Sequence, residues 1–350
     1  MAYTTINNPS AHFHTQLYTG TGSLNSVTND ANSGNFKPDW IQIKNRDAGW
    51  SAIVTDSNRG VNRSLFTPAT DAQITDNARG YVSAFNTDGF TVGAGSGGSD
   101  NVNTNGQNYV AWQWKANGGT TASNYDGSIT STVQANTTAG FSMVTWTGTG
   151  SNGTVGHGLN AAPDFIIFKN YTANQNWVTY HSVLGNGGGM YLNLTNSFNT
   201  ASSWYQDQSP TSDYFYVGTN TKTNGGTMIA YCFTDIKGYS KFGKYSGNGD
   251  VDGPFVYTGF KPAWLMVKRS DTSGDWLIWD TKRSTYNISN KVLKADSSGA
   301  ENSGYWDIDF LSNGFKVRKA DGELNGTTLT FMAFAENPLV ATNDVIALAK

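Results

Sequence analysis

Apolar and polar residues alternate in short segments along most of the chain. The clearest segments follow three prolines, where every second residue is apolar: Ile41 and Ile43, Ile166 and Phe168, Leu265 and Val267. The residues between them are mixed, and each set ends in a lysine: Trp40, Gln42 and Lys44; Phe165, Ile167 and Lys169; Trp264, Met266 and Lys268. A period of two in residues rich in β-branched and aromatic side chains predicts a β-strand.

These strands belong to a repeat that occurs three times. Each copy begins at a Gly-rich turn, passes through the proline strand, and ends in a closing strand with an alanine at its centre: Tyr109-Val-Ala-Trp112, Met228-Ile-Ala-Tyr231 and Phe331-Met-Ala-Phe334. Gly-rich and Asn-rich turns separate the short strands, and no segment shows a helical period over about ten residues. The pattern therefore predicts an all-β chain of three tandem antiparallel β-sandwich modules, jelly-roll-like and about 100 residues each.

The repeat also predicts the domain boundaries. We expect modules at residues 1–120, 138–238 and 239–340, a linker at 121–137 and a C-terminal tail at 341–350. Because about 100 residues can form an independent sandwich, the recurring aromatic residues predict three separate small cores. Six tryptophans are expected to be buried in them: Trp40, Trp50, Trp112, Trp177, Trp264 and Trp276.

Composition narrows the functional classes. The 23 basic and 26 acidic residues make up 14 % of the chain, against about 25 % in a typical domain, and the net charge is −3. The absence of a basic block argues against a nucleic-acid binder, and no apolar stretch is long enough to predict a membrane span. A single cysteine excludes an internal disulfide. We expect no cofactor.

Five aromatic residues lie outside the tightest repeat positions or in loop-like stretches. Exposed aromatic rings near amides and carboxylates commonly stack on sugars or anchor protein interfaces. The sequence therefore predicts ligand binding by Trp114, Trp204, Tyr205, Tyr305 and Trp306.

Weaker candidates exist for a metal site and for a catalytic pair. His12 and His14 share a strand face at a spacing that can bind a metal, but two half-exposed polar residues on an edge strand explain the pattern better, because a metal needs more ligands. Asp250 and Asp252 lie in a segment similar to the first half of a calcium loop, but a hairpin turn explains that segment better. Asp307 and Asp309 could mimic a glycosidase pair, but no partner on a second strand is evident, and we expect them to face solvent. No catalytic residues are predicted, and we expect the protein not to be an enzyme.

Several longer motifs carry a family resemblance. They are Phe36-Lys-Pro-Asp-Trp-Ile-Gln-Ile-Lys44, Asp56-Ser-Asn-Arg-Gly60, Gly238-Tyr-Ser-Lys-Phe-Gly243 and Met332-Ala-Phe-Ala-Glu-Asn-Pro338. Together they resemble a repeat module of structural proteins of marine tailed phages, a domain of unknown function often assigned to tail fibres. The resemblance covers about residues 4–340. It implies a virion protein that is assembled in the host cytoplasm, and it supplies no catalytic residues.

The leading hypothesis is a non-enzymatic virion protein of the tail-fibre or receptor-binding type. Its partners would be other virion proteins, further copies of itself in a homotrimer, and a glycan or protein on the host surface. A capsid decoration (cement) protein or a tail adaptor is the first alternative, since no coiled-coil shaft precedes the repeats. A polysaccharide-binding or depolymerising enzyme is the second alternative.

Overall fold

The computed structural model describes residues 3–30, 36–75, 77–97 and 101–340. The predicted tail at 341–350 lies outside these residues. The described chain consists almost entirely of antiparallel β-strands, which confirms the predicted all-β class. Its helical segments are single turns: 3₁₀ turns at Pro9–Ala11 and Ser182–Leu184, and the helices α1 (Ser202–Tyr205), α2 (Thr221–Asn224) and α3 (Gly322–Asn325).

The first repeat forms two sheets that pack face to face. Its strands are β1 (Phe13–Thr19), β2 (Asn25–Val27), β3 (Trp40–Asn45), β4 (Ile53–Asp56), β5 (Leu65–Phe66), β6 (Tyr81–Asn86), β7 (Gly89–Gly93) and β8 (Asn108–Trp114). An inner sheet has the order β1-β8-β3-β4-β5, and an outer sheet has the order β2-β7-β6.

The second repeat has the same arrangement with two additional strands. They are β9 (Ala122–Asn124) and β10 (Ser131–Asn136), which precede β11 (Phe141–Thr147), β12 (Gly153–Gly156), β13 (Phe165–Asn170), β14 (Val178–His181), β15 (Gly188–Tyr191), β16 (Asn199–Thr200), β17 (Tyr214–Val217) and β18 (Thr227–Phe233). The inner sheet has the order β16-β15-β14-β13-β18-β11-β10-β9, and β12 pairs with β17 in the outer sheet.

In the third repeat, the inner and outer sheets are joined into one eight-stranded sheet. Its strands are β19 (Ser240–Tyr245), β20 (Phe255–Tyr257), β21 (Phe260–Arg269), β22 (Trp276–Asp280), β23 (Ser289–Lys294), β24 (Asn302–Leu311), β25 (Gly314–Val317) and β26 (Leu329–Pro338). The order is β19-β26-β21-β22-β23-β24-β25-β20. The inner part consists of β19, β26, β21, β22 and β23, and the outer part consists of β24, β25 and β20.

The same order of strands therefore occurs three times. In each repeat the first strand pairs with the last, the last pairs with the proline strand, and the proline strand pairs with the strand that follows it. The register also recurs: Trp40 lies opposite Trp114, Phe165 opposite Phe233 and Trp264 opposite Phe334. The division into three modules and their boundaries stay an interpretation of this pattern.

The segment predicted as a linker, 121–137, contains regular structure. It forms β9 and β10, and β10 pairs along its whole length with β11. Gln134 of β10 is fully buried and donates to the Ser57 hydroxyl at 3.0 Å, across the boundary with the first repeat. The segment is therefore part of the second inner sheet rather than a free connection. The linker was predicted from the polar composition of this segment, and that prediction is wrong. A strand held between two protein surfaces does not need apolar side chains.

The distribution of apolar residues corrects the expectation of three separate cores. A small core does lie between the inner and outer sheets of each repeat. A fourth, larger cluster lies between the repeats and combines residues of all three inner sheets, including Trp40, Trp177 and Trp264. Five of the six tryptophans predicted to be buried are buried, whereas Trp50 is only half-buried. The largest core of the described chain therefore belongs to no single repeat.

Equivalent hydrogen bonds connect neighbouring repeats in a closed cycle. The backbone carbonyl of the residue eight positions after each proline accepts an N–H from the preceding repeat in the cycle: Gln73 donates to Tyr171 at 2.8 Å, Phe198 to Ser270 at 2.9 Å and Glu301 to Arg46 at 2.8 Å. Because each repeat contacts both others in the same way, the three inner sheets are related by an approximate threefold axis within one chain.

Candidate functional site

Trp114, the first predicted ligand-binding residue, lies at the centre of the molecule. Its ring centroid is 6.2 Å from that of Phe233 and 5.4 Å from that of Phe334, and those two are 6.0 Å apart. The three residues occupy the same register position in the three repeats, so this triangle marks the approximate axis. Trp114 is 1 % exposed. Its burial contradicts the exposure on which the prediction of ligand binding depended, because the other two inner sheets cover its ring.

Trp204 and Tyr205 are also buried. They form the end of the single-turn helix α1 and belong to the core between the sheets of the second repeat. The Tyr205 ring lies 5.5 Å from Phe168, and burial raises the pKa of its hydroxyl well above the ordinary value. Neither side chain can stack on an external ligand in this position. The loop-like sequence around them concealed that one helical turn directs both rings inward.

Trp306 and Tyr305 are adjacent in strand β24, and the centroids of their rings lie 4.6 Å apart. Trp306 lies in the core of the third repeat, where its carbonyl accepts a hydrogen bond from Trp279 Nε1 at 3.1 Å. Tyr305 points to solvent and is 51 % exposed. The two rings are therefore in contact, with the Trp306 ring buried and half of Tyr305 in solvent. Of the five predicted aromatic residues, Tyr305 alone has the exposure that binding requires.

Tyr305 is part of a surface on the outer sheet of the third repeat. The pairing of β24, β25 and β20 places Asp309, Lys316 and Phe255 in one row across the sheet. Every second residue of β24 and of β20 faces the same side. We call this surface the outer face of the third repeat, and it consists of Phe255, Tyr257, Tyr305, Asp307, Asp309, Lys316 and Arg318.

The outer face combines exposed rings with charges of both signs. Lys316 Nζ lies 2.8 Å from Asp252 Oδ1, and Arg318 Nε lies 3.4 Å from Asp309 Oδ2. The hydrogen bond from Lys316 lowers the pKa of the Asp252 carboxyl. The Lys319 ammonium is 5.9 Å from the centre of the Tyr305 ring. Such a surface can stack on a ring-shaped ligand while its carboxylates and cations bind hydroxyl or charged groups.

The two predicted histidine ligands have separate environments. His12 precedes strand β1, and its ring lies against Tyr239, with Nδ1 3.4 Å from Asn136 Nδ2. His14 lies within β1, and its Nε2 is 3.2 Å from Gln16 Oε1. Burial lowers the pKa of both imidazoles. Across the described ranges, no three His, Cys, Asp or Glu side chains form a group that could hold a metal ion.

Asp250 and Asp252 belong to a tight turn. The Asn248 side chain accepts the N–H of Asp250 at 3.0 Å, and the Asp250 carboxylate accepts the N–H of Asp252 at 2.9 Å. These bonds are those of consecutive Asx turns, in which side-chain oxygens accept the N–H two residues ahead. The turn interpretation therefore accounts for the conformation of the segment.

Polar groups that join the repeats are functional residues that no single motif of the sequence predicted. Lys169 Nζ donates to Thr70 O at 2.8 Å in the first repeat, and Lys268 Nζ donates to Thr195 O at 3.0 Å in the second. Lys44 Nζ donates to Ser298 O in the third repeat, which completes the cycle. The sequence did contain a signal for these lysines, since each lies six positions after the proline of its repeat. They were not predicted to be buried, because lysine side chains are mostly exposed in proteins.

Two buried ion pairs reinforce the same contacts. Arg283 Nε lies 2.6 Å from Asp280 Oδ2. The same oxygen accepts a hydrogen bond from Trp112 Nε1 of the first repeat at 3.0 Å. Asp56 and Arg59 form the equivalent pair, also at 2.6 Å. In this pair, Asp56 Oδ2 accepts a hydrogen bond from the Tyr231 hydroxyl of the second repeat at 2.8 Å. A repeated Asp-x-x-Arg segment in the sequence marks both sites.

Fold and surface together define an all-β protein of packed antiparallel sheets with an aromatic and charged outer face. Within the described residues, no helix is long and apolar enough to span a bilayer. The chain belongs to the family described as Domain of unknown function (DUF7483), whose model matches residues 8–338. One match thus spans all three repeats. Comparison with curated proteins and with solved structures finds no match.

Proposed function

We propose that this protein is a non-enzymatic structural protein of a tailed-phage virion, of the tail-fibre or receptor-binding type. In this proposal, the outer face of the third repeat adheres to a glycan or protein on the host surface. The observation that carries it is the exposure of Phe255, Tyr257 and Tyr305 beside carboxylates and cations on one sheet. The resemblance of the repeats to tailed-phage structural modules supports the location in the virion.

The physical basis of adhesion is a rigid, preorganised surface. Side chains held on a paired sheet lose little conformational entropy when a ligand binds. Because this cost is small, weak stacking contacts and hydrogen bonds are enough to give a measurable affinity. Several copies in one particle would multiply the strength of such contacts. We propose a homotrimer, other virion proteins and a host surface molecule as partners.

A single substitution tests the adhesion surface. Tyr305→Ala removes an exposed ring, and we expect at least a fivefold loss of binding of the purified protein to host cells, because a stacked aromatic contributes about 1 kcal/mol or more at an interface. Tyr125→Ala is the matched control, since Tyr125 is 75 % exposed in the second repeat and lies outside the outer face. Equal binding by both variants and the unchanged protein would contradict the proposal.

A second candidate is a capsid decoration protein. The closed cycle of contacts among the three repeats favours it, because a compact body with an approximate threefold axis could lie on a threefold position of a shell. The copy number in purified virions separates the candidates, together with antibody labelling of head or tail. Hundreds of copies on the head would favour decoration, and a few to some tens of copies on the tail would favour adhesion.

The non-enzymatic part of the proposal has its own test. Asp307 and Asp309 lie on the outer face, where a polysaccharide chain would bind. We expect that incubation of the purified protein with host polysaccharide releases no new reducing ends. Release that disappears in Asp307→Asn or Asp309→Asn would make the protein a depolymerase.

A further inference from the structure

A groove of about 470 Å³ separates the first and third repeats. Strand β1 forms one wall with Phe13, His14 and Thr15, and the third repeat forms the other wall with residues that include Ala263, Thr281 and Lys282. The lining is mixed in polarity. The groove lies at one of three boundaries that the threefold arrangement makes equivalent, so its contents can be compared with those of the other two.

At the boundary between the first and second repeats, strand β10 fills the equivalent space. It pairs with the outer edge of β11, with Gln134 opposite Met143. The Gln134 side chain donates to Ser57 Oγ at 3.0 Å and to Asn58 Oδ1 at 2.9 Å, and it accepts the Gly119 N–H at 3.0 Å. This boundary therefore contains an extended strand that carries a carboxamide.

At the boundary between the second and third repeats, a carboxylate satisfies the equivalent strand edge. The outward N–H of Phe242 in β19 donates to Asp235 Oδ1 at 3.0 Å. The three edges can be aligned by register. The strand residues opposite the central rings Trp114, Phe233 and Phe334 are Phe13, Phe141 and Ser240, respectively. The residues two positions further on are therefore equivalent, and they are Thr15, Met143 and Phe242. One of the three equivalent edges is thus paired and another is capped.

The third edge, that of β1, is open among the described residues. On the β8 side, His12 O accepts Lys115 N at 3.0 Å and Gly20 N donates to Gln107 O at 2.8 Å. The antiparallel alternation then directs the backbone groups of Phe13 and Thr15 to the opposite side, into the groove. Within the described ranges no strand pairs with this edge. The Thr15 hydroxyl, on a residue 4 % exposed, is buried without a hydrogen-bond partner.

We propose that this groove binds an extended polypeptide strand of another protein. The strand adds antiparallel to β1 as β10 adds to β11. A glutamine or asparagine opposite Thr15 donates to the Thr281 hydroxyl and accepts from the Lys282 ammonium, which also binds Asp30. Thr281 and Lys282 follow Asp280 as Ser57 and Asn58, the partners of Gln134, follow Asp56. Backbone pairing would supply affinity, and the carboxamide position would supply specificity. The proposal is independent of the adhesion surface, which lies on the outer sheet.

The β10 segment provides the probe. A fluorescein-labelled peptide with the sequence of residues 130–137, Thr-Ser-Thr-Val-Gln-Ala-Asn-Thr, is titrated with the full chain, and anisotropy reports binding. We expect saturable binding, with slower hydrogen exchange at the Thr15 amide. Replacing the glutamine of the peptide with alanine should weaken binding about fivefold to tenfold, since it removes the side-chain hydrogen bonds and leaves the backbone pairing in place. Absence of binding overturns the proposal.

Variants of the protein assign the binding to this groove. Thr15→Pro removes the outward amide and leaves the pairing with β8 intact, and an edge strand tolerates proline at such a position. We expect at least a tenfold loss of peptide binding. Ala263→Trp fills the groove from the opposite wall and should have the same effect if Thr15→Pro does not fold. Tyr125→Ala is the control that keeps binding.

Two outcomes contradict the assignment. Unchanged peptide binding by folded Thr15→Pro or Ala263→Trp protein would place the peptide elsewhere, for example at the β10 position. Binding only after deletion of residues 341–350 would mean that the chain's own end, rather than another protein, blocks the groove. Thermal unfolding of each variant verifies that the comparison is made between folded proteins.

Discussion

The third repeat has two surfaces rich in aromatic residues, and they differ in what covers them. On the inner sheet, Trp264 and Phe334 pack against Trp114 of the first repeat and are nearly fully buried. On the outer sheet, Phe255 and Tyr305 are about half exposed beside ion pairs. The rings themselves are similar in type. Aromatic residues therefore stabilise this protein where another repeat covers them and stay accessible to a ligand where none does.

Removing a ring from the centre should produce the largest loss of stability. We expect Trp114→Ala to lower the free energy of unfolding by about 5 kcal/mol, the upper end for a buried aromatic residue, because Trp114 contacts rings of all three repeats. Chemical denaturation followed by fluorescence and circular dichroism measures the change. Trp50→Ala is the control, since Trp50 is half-buried, and it should cost clearly less.

The cooperativity of that transition tests the shared core directly. If the central cluster joins the three inner sheets, Trp114→Ala destabilises the whole described chain and unfolding remains a single transition. Selective unfolding of the first repeat, with the other two unchanged, would show that the repeats are independent and that the comparison between covered and uncovered surfaces is wrong.

Breaking a buried ion pair at a boundary should have the next largest effect. Asp280→Ala removes the carboxylate at Nε of the fully buried Arg283, which keeps only its pair with Glu301, and it leaves Trp112 Nε1 without an acceptor. We expect a loss of about 3 kcal/mol in the free energy of unfolding, as is typical for one partner of a buried pair. Asp271→Ala removes the exposed pair with Arg269 and should change stability by less than about 1 kcal/mol. Similar losses in both variants would contradict this reasoning.

The buried lysines predict a pH dependence. Burial lowers the pKa of Lys44 to about 7 and those of Lys169 and Lys268 to about 8. In the unfolded chain lysine titrates near 10.4, so between these values the unfolded state binds more protons and the free energy of unfolding rises with pH. Urea denaturation at pH 7, 8.5 and 9.5 should show this rise.

A lysine variant attributes the pH effect to one residue. Lys44→Met cannot bind the proton, so the rise should be shallower, by up to about 1.4 kcal/mol per pH unit within the window of this lysine. The variant also leaves the Trp50 and Ser298 carbonyls without their donor, which should lower stability at pH 9.5 by about 1–2 kcal/mol. An unchanged slope would mean that Lys44 keeps its proton in the folded protein throughout this range.

Removing a ring from the outer face should have the smallest effect on stability. Tyr305→Ala should change the free energy of unfolding by less than about 0.5 kcal/mol, because half of the side chain is already in water. The same variant is expected to lose binding to host cells. A loss of stability comparable to that of Trp114→Ala would show that the ring serves the core.

Alternation predicted the strands well, and it predicted one face of each correctly. Ile41 and Ile43 are fully buried, as expected, in the core between the sheets. The opposite face of the same strand, with Trp40 and Lys44, was also buried, but by the other repeats. A two-residue period identifies which side chains share a face, and it contains no information about what lies against that face. The expectation of three separate cores failed for this reason.

The candidate binding residues show the same limit. Tyr305 and Trp306 are adjacent and equally loop-like in sequence, and their rings touch, yet Tyr305 is half exposed and Trp306 is buried in the core. Trp114 lies outside the aligned repeat positions but meets Phe233 and Phe334 through register. Exposure depends on contacts between residues more than 100 positions apart, which local sequence cannot specify.

By itself the sequence determined the all-β class, the threefold recurrence and the apolar faces of the proline strands, because local alternation and turn residues control these features. Only the tertiary structure decided that the inner sheets share one core, that three lysines are buried against carbonyls, and that one of three equivalent strand edges stays open among the described residues. The physical reason is that burial and pairing are properties of two surfaces in contact. A repeated sequence specifies each surface, but the folded chain specifies which surfaces meet.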